Sequence, residues 1–128
     1  MTVELTDHMA QVLDEQLAFI ATANQQGVPN LGPKGSIGVF DASTLIYDET
    51  TGGQTLENIQ HGSTVVIAVV DRKWKNGYRF TGAATVLNSG RIFDERAEAR
   101  EARGKSPQIC TVLIQLNDIS TFRPVQTK

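Results

Sequence analysis

The run at residues 64–70, TVVIAVV, limits how this chain can fold more than any other segment. Every residue in it except Ala68 is β-branched, and β-branched side chains favour strands because their χ1 rotamers are restricted. After Thr64 the run has no polar residue, so both faces of the strand are apolar. The pattern predicts a central strand that is covered on both faces.

Other short segments resemble strands and are spaced closely along the chain. They are residues 17–23, 36–40, 45–47, 78–87, 108–116 and 119–122, and Gly82 inside one of them indicates a bulge or a close backbone approach. Only residues 6–15, 55–60 and 92–103 have helical patterns. Many strands with few helices predict a mainly β fold, a closed or partly open antiparallel barrel with short flanking helices.

The bulk properties exclude several classes of protein. The 128 residues suit a single domain, 1–128, and a net charge of −2 argues against a nucleic-acid partner. No apolar run is long enough for a membrane helix and no secretory signal begins the chain, so we expect a cytoplasmic protein without a membrane partner. Cys110 is predicted to be a buried thiol, and no cluster has the spacing of a metal site.

The first segment that could bind a ligand is residues 29–36, PNLGPKGS. Gly32 and Gly35 allow the backbone to present N–H groups, and Lys34 and Ser36 can both donate to a phosphate. The order Lys-Gly-Ser differs from that of a P-loop. The alternative is a turn with an exposed lysine.

The second such segment is residues 50–59, TTGGQTLENI. Two glycines lead into a short helix that Thr55 can cap, and the free N–H groups at a helix start attract anions. The alternative is a capped helical turn without a ligand. Taken together, the two segments predict one phosphate held by four side chains: Lys34, Ser36, Gln54 and Thr55.

The order of these segments resembles the pyridoxamine 5′-phosphate oxidase-like FMN-binding split-barrel family. The similarity runs through LAFIATANQQGVPNLGPKGSIGVF, LIYDETTGGQTLENI, STVVIAVV and YRFTGAATV, and is greatest to short single-domain bacterial members. The resemblance implies a six-stranded antiparallel split barrel, a homodimer and FMN in each interfacial cleft. Where the family often has lysine, this chain has Gln54. The cofactor-binding residues that the resemblance implies are Pro33, Lys34, Gly35, Ser36, Thr50, Thr51, Gln54, Thr55 and Asn58.

The function implied by this resemblance is that of an FMN-binding flavoprotein. We expect an oxidoreductase that passes hydride or electrons through FMN to a small substrate, with no catalytic side chain singled out, because the flavin itself carries such chemistry. The alternatives are a non-enzymatic protein that stores or senses FMN or carries electrons, and a barrel that holds a deazaflavin or haem. True pyridoxamine-phosphate oxidases have an arginine-containing tail where this chain reads TFRPV, at residues 121–125, so that activity is not expected.

Two further features have both a functional and a structural interpretation. Trp74 and Tyr78 flank a basic turn, and either contact the flavin ring or substrate from the partner subunit or pack on the barrel rim. The helix at 94–103 separates its acidic and basic side chains into two stripes. We expect it to be a solvated cap over one end of the barrel, with a partner-binding surface as the alternative.

Overall fold

A computed structural model of the chain describes residues 3–124. Within this range the chain forms seven strands and three helices, and the predicted mainly β class is confirmed. Residues 1–2 and 125–128 of the predicted domain lie outside the described residues, as does Val125 of the predicted tail. The elements are α1 (Asp7–Glu15), β1 (Ala18–Ala23), β2 (Pro29–Lys34), β3 (Gly38–Asp41), β4 (Thr44–Glu49), α2 (Gln54–Gln60), β5 (Thr64–Asp71), β6 (Asn76–Leu87), α3 (Arg91–Ala102) and β7 (Cys110–Thr121).

All the strands belong to one antiparallel sheet, in the order β2-β1-β5-β6-β7-β4-β3. The sheet curls on itself, as a contact between its two ends shows. Lys34 on β2, the first strand in this order, contacts Glu49 on β4, which is next to the opposite edge. The described residues contain seven strands where the resemblance implied six. Most of the segment predicted to bind a ligand, residues 29–36, is itself a strand, because Pro29–Lys34 pairs with β1. Proline has no backbone N–H to donate to a neighbouring strand. An edge strand such as β2 tolerates its two prolines because it has a neighbouring strand on one side only.

Strand β5 lies inside the sheet as predicted, but only one of its faces is fully buried. Val65, Ile67 and Val69 are at most 1% exposed and form the core with the inward side chains of the other strands. On the opposite face Val70 is 49% exposed, and the two alternate residues before it are partly exposed. The prediction that this strand is covered on both faces is therefore wrong for the single chain.

Strands β6 and β7 form the longest pair, and their backbones approach closely at Gly82. The register of the pair shifts between Thr81 and Gly82, and a Cβ on Gly82 would lie 2.2 Å from the Gln115 carbonyl oxygen. This confirms the predicted close backbone approach. The two strands predicted at residues 108–116 and 119–122 are one continuous strand, β7.

The three helices differ in how they begin and in what they bury. Helix α1 is capped by Thr6, whose hydroxyl accepts from the Met9 N–H. Helix α2 begins after Gly53 without a side-chain cap, so the prediction that Thr55 caps it is wrong. Helix α3 ends before Gly104, whose φ is 72°, and buries none of its side chains. Within residues 3–124 no helix combines the length and apolar character needed to cross a membrane.

Candidate functional site

An ion pair brings the two predicted ligand segments together. Lys34 Nζ donates to both carboxylate oxygens of Glu49, at 3.0 and 3.1 Å, and the Glu49 side chain is fully buried. Glu49 Oε2 also accepts from the Thr51 N–H and hydroxyl and from the Gly52 N–H, at 2.9 to 3.1 Å. The end of β2 is thus fastened to the loop that follows β4. Sequence reasoning missed Glu49, because nothing in the pattern showed that Lys34 would face it.

The ionised form of Glu49 is stabilised by its surroundings. Burial alone would raise the pKa of this carboxyl, since it removes the charge from water. Hydrogen bonds from the Gly52 N–H, from Lys34 and from Thr51 outweigh burial, so the pKa lies below its usual value. Glu49 is therefore a carboxylate at neutral pH and holds Lys34 in place.

A cavity of about 550 Å³ lies beside this ion pair. Its lining contains six of the nine cofactor-binding residues implied by the resemblance: Pro33, Lys34, Gly35, Ser36, Thr50 and Thr51. Thr50 and Ser36 are exposed, so their hydroxyls are accessible from solvent. Lys34 and these two hydroxyls give the cavity several hydrogen-bond donors, which suits an anionic group.

The other three implied residues form a separate hydrogen-bond network that attaches α2 to the sheet. Gln54 Nε2 donates to Asn58 Oδ1 at 2.7 Å, and Asn58 Nδ2 donates to Thr22 Oγ1 at 3.0 Å. The Thr55 hydroxyl accepts from Asn30 Nδ2 at 3.1 Å. These groups already have partners within the chain, and Asn58 is 2% exposed, so they position α2 against β1 and β2.

A second cleft, of about 370 Å³, adjoins the first cavity beneath α3. One wall is the turn at residues 35–38, and the other carries Arg96, Arg100 and Arg103. Arg96 Nε donates to Asp48 Oδ1 at 3.0 Å and ties the helix to β4. The basic stripe was visible in the sequence, but its spacing could not show that it would line a cleft.

The aromatic residues of the β5–β6 turn pack against α1 of their own chain. Tyr78 Oη lies 2.6 Å from His8 Nδ1, and Trp74 lies 5.1 Å from the His8 ring and 5.3 Å from the Tyr78 ring. Tyr78 is 8% exposed, and burial raises its pKa. Trp74 is half-buried, so its ring is more accessible than that of Tyr78. The predicted contact with a flavin or substrate of the partner subunit stays a prediction, and Trp74 is the better placed of the two residues to make it.

Within residues 3–124 the remaining reactive side chains form no further centre. Cys110 is buried as predicted, and burial raises the pKa of its thiol. Among residues 3–124, no three His, Cys, Asp or Glu side chains are grouped so that they could hold a metal ion.

Comparison with known proteins identifies relatives along nearly the whole chain. The sequence profile described as pyridoxamine 5′-phosphate oxidase matches residues 5–114. An uncharacterized protein of Methanocaldococcus jannaschii is 32% identical over 103 residues, which are 78% of this chain and 68% of that protein.

Solved structures share the fold. HupZ of Group A Streptococcus is 34% identical with a TM-score of 0.84, over 92% of this chain and 94% of that chain. A putative pyridoxamine 5′-phosphate oxidase of Lactobacillus delbrueckii is 30% identical with a TM-score of 0.79, over 93% and 95%. More distant structures share the fold alone. They include an FMN-binding protein of Syntrophomonas wolfei, at 13% identity and a TM-score of 0.71, and an F420 reductase, at 16% and 0.65.

Proposed function

This chain belongs to the pyridoxamine 5′-phosphate oxidase family, and on that premise we propose that it is a flavoprotein that binds FMN and uses it as an oxidoreductase. The observation that carries the proposal is the cavity in which the Lys34–Gly35–Ser36 turn meets the Thr50–Thr51 loop. In relatives of this fold the ligand can be FMN, as the name of the Syntrophomonas wolfei protein states.

The donors around this cavity fit the phosphate of FMN. The hydroxyls of Ser36 and Thr50 line it, whereas the Thr51 hydroxyl already donates to Glu49. A Cβ built on Gly35 would meet nothing within 4 Å, which leaves room for a ligand beside the backbone. The Lys34 ammonium has three N–H donors and directs two hydrogen bonds to Glu49, so one donor remains for a phosphate oxygen. Gln54 provides no charge, so among the cofactor-binding residues that the resemblance implies, Lys34 is the cation that we assign to the phosphate.

We assign a second copy of the chain to the exposed apolar face of the sheet. On β1, β2 and β5 this outer sheet face consists of Phe19, Ala21, Leu31, Val66, Ala68 and Val70, and Leu31 and Val70 are 68% and 49% exposed. An apolar face of this kind is typical of a protein interface. It borders the proposed FMN cavity, because Phe19 pairs with Pro33, which lines that cavity. A homodimer formed through this face would place FMN at the interface, as the family resemblance implies.

The chemistry would belong to the cofactor, and the protein would position it. When bound, FMN supplies a ring that accepts and donates hydride or single electrons. The residues of this chain would hold the phosphate and orient the ring toward a small-molecule substrate. No side chain of the chain is assigned a catalytic role.

The first experiment is a visible spectrum of the purified protein, followed by titration with FMN and with the deazaflavin F420. Oxidised FMN absorbs in two broad visible bands, so a yellow protein, or an apoprotein that binds added FMN, supports the proposal. A colourless chain that fails to bind FMN refutes it. Preference for F420 over FMN would replace FMN by a deazaflavin as the cofactor.

A second experiment tests the oxidoreductase part. The FMN-loaded protein is mixed anaerobically with NADH or NADPH, and bleaching of the visible bands is followed with and without small electron acceptors. Catalytic turnover supports an enzyme. A flavin that is reduced by dithionite but never turns over with these donors and acceptors supports an FMN store, sensor or carrier instead.

A further inference from the structure

A short hydrogen bond joins Tyr78 on β6 to His8 on α1, across seventy residues of the chain. Tyr78 Oη lies 2.6 Å from His8 Nδ1, at the short end of the usual range for a hydroxyl group. A phenol bonded to an imidazole loses an electron more easily than an isolated phenol does, because the imidazole accepts the proton as the electron leaves. The pair therefore has the geometry of a one-electron donor.

Helix α1 holds the His8 ring in position for this transfer. Val12 and Leu13 bury one face of the helix in the core, and Thr6 caps its first turn. When the neutral imidazole has its own proton on Nε2, the Tyr78 hydroxyl donates to Nδ1. Because His8 is exposed, a proton that it accepts can pass on to solvent.

The Tyr78 ring lies among aromatic and apolar neighbours and borders a cavity. The centroids of the Trp74 and Phe80 rings lie 5.3 and 6.0 Å from that of Tyr78. Burial raises the pKa of Tyr78, so the phenol keeps its proton until an electron is removed. The cavity, of about 580 Å³, is lined by Ile119 and Phe122 among others, and it gives a small oxidant room beside the ring.

The other tyrosine of the chain has no such proton acceptor. The sequence contains two tyrosines, and the second, Tyr47, is fully buried in the core. Among residues 3–124 the Tyr47 hydroxyl has no hydrogen-bond partner. Removal of an electron from Tyr47 would leave its proton unaccepted in an apolar site, which is unfavourable. Tyr47 is therefore an internal control, a buried phenol without an imidazole.

We propose that Tyr78 is a one-electron donor whose oxidation is coupled to proton transfer to His8. A strong one-electron oxidant, such as a small organic radical, takes one electron from the phenol. The O–H bond of Tyr78 breaks as its proton forms a bond to His8 Nδ1. The products are a neutral tyrosyl radical, an imidazolium and the reduced oxidant. This activity requires no flavin, so it goes beyond the proposed function and does not depend on it.

The test oxidises the full chain, as purified, with ruthenium(III) tris(bipyridine) generated by a laser flash. Electron paramagnetic resonance of samples frozen after the flash identifies the radical, and transient absorption gives its rate of formation. We expect a tyrosyl radical that persists in Tyr47→Phe and is lost in Tyr78→Phe, since each change removes a hydroxyl and retains the ring. A tyrosyl signal that survives Tyr78→Phe, or oxidation that yields no tyrosyl radical, would overturn the proposal.

Substitution of each histidine tests the proton acceptor. His8→Phe retains a ring beside Trp74 but accepts no proton, so it should slow the oxidation of Tyr78 by about 100-fold. His61→Phe is the matched control, because His61 is the other histidine, is exposed, and bonds through Nδ1 to the Glu57 carbonyl. It should leave the rate unchanged. Equal rates in the two variants would show that His8 does not accept the proton.

Rescue by free imidazole separates proton transfer from a structural role of His8. In His8→Ala the ring is absent, and imidazole added to the buffer should restore fast formation of the Tyr78 radical while it leaves the unmodified chain unaffected. Amide NMR spectra check that the variant is folded. The restored reaction should also be slower in heavy water, because a proton moves with the electron. If imidazole leaves the rate of folded His8→Ala unchanged, the proposal is wrong.

Discussion

Lys34 Nζ lies 3.0 Å from Glu49 Oε1 and 3.1 Å from Oε2, and this pair joins the first strand of the sheet's order to the strand next to its far edge. Glu49 is fully buried, and only 14% of the Lys34 side chain is exposed. The pair therefore contributes both to closing the barrel and to shaping the proposed phosphate site.

Lys34→Ala should destabilise the fold strongly. Removing one partner of a buried ion pair leaves the other charge uncompensated, which costs about 3–5 kcal/mol. Three other donors to Glu49 remain, so we expect the lower part of that range. Urea unfolding measures the change. The double variant Lys34→Ala/Glu49→Gln should recover part of the loss, and a double variant as unstable as Lys34→Ala would contradict this account.

The lowered pKa of Glu49 predicts a specific loss of stability in acid. Its ordinary value is 4.5 and its folded value is lower, so the folded chain binds a proton less readily than the unfolded chain. The stabilisation is fully present above the ordinary pKa and is lost as the pH falls through the folded pKa. Between about pH 5 and about pH 3, Glu49→Gln should therefore lose less stability than the unmodified chain.

The same unfolding series needs a control that removes an exposed carboxyl. Glu95 lies on the exposed face of α3 and pairs with Arg91 at the surface. Glu95→Gln should keep the acid dependence of the unmodified chain, because an exposed pair contributes little. Parallel acid curves for Glu49→Gln and the unmodified chain would show that other groups cause the acid loss.

Recognition of the FMN phosphate is best tested at hydroxyls that are not needed by the fold. Thr50→Val and Ser36→Ala should each weaken FMN by about tenfold and leave riboflavin nearly unchanged, because riboflavin lacks the phosphate. Fluorescence quenching of each flavin gives both affinities. Thr55→Ala serves as a comparison, since its hydroxyl is already bonded to Asn30. Equal losses for FMN and riboflavin would reject the phosphate assignment.

The sequence was sufficient for the fold class, because the fold class depends on local patterns. The closely spaced strand-like segments and Gly82 are local signals, and the structure confirms both of them. The family resemblance brought Lys34 and Thr51 into one set, and they do line one cavity. Neither result required knowledge of which side chains face each other across the sheet, and the assignment of Lys34 and Thr51 to cofactor binding stays a prediction.

The misses come from contacts between distant segments. Glu49 was overlooked because its partner Lys34 lies fifteen residues away in the sequence. Lys34 is on a strand whose two prolines are more typical of a loop. Thr55 was predicted to cap a helix, yet its hydroxyl accepts from Asn30 on β2. The orientation of α3 on the barrel decides which of its cations line a cleft. Helical spacing in the sequence does not determine this orientation.

The outer face of β5 is partly exposed, and this exposure leads to a prediction about where two copies of the chain meet. The sequence predicted cover on both faces of this strand, and within one chain the outer sheet face remains open. Phe19 lies on that face and is 40% exposed. If the chain forms the proposed homodimer, Phe19→Glu should convert it to a monomer, because the substitution places a charge in an apolar interface. Light scattering after size-exclusion chromatography measures the mass of each species.

Phe40→Glu is the matched control for this substitution. Phe40 is 44% exposed, nearly the same as Phe19, but it lies on β3 at the opposite edge of the sheet's order. The same change of side chain there should leave the dimer intact. Because the proposed FMN cavity borders the outer sheet face, Phe19→Glu should also weaken FMN binding, whereas Phe40→Glu should not. A Phe19→Glu protein that stays dimeric would show that the subunits meet elsewhere.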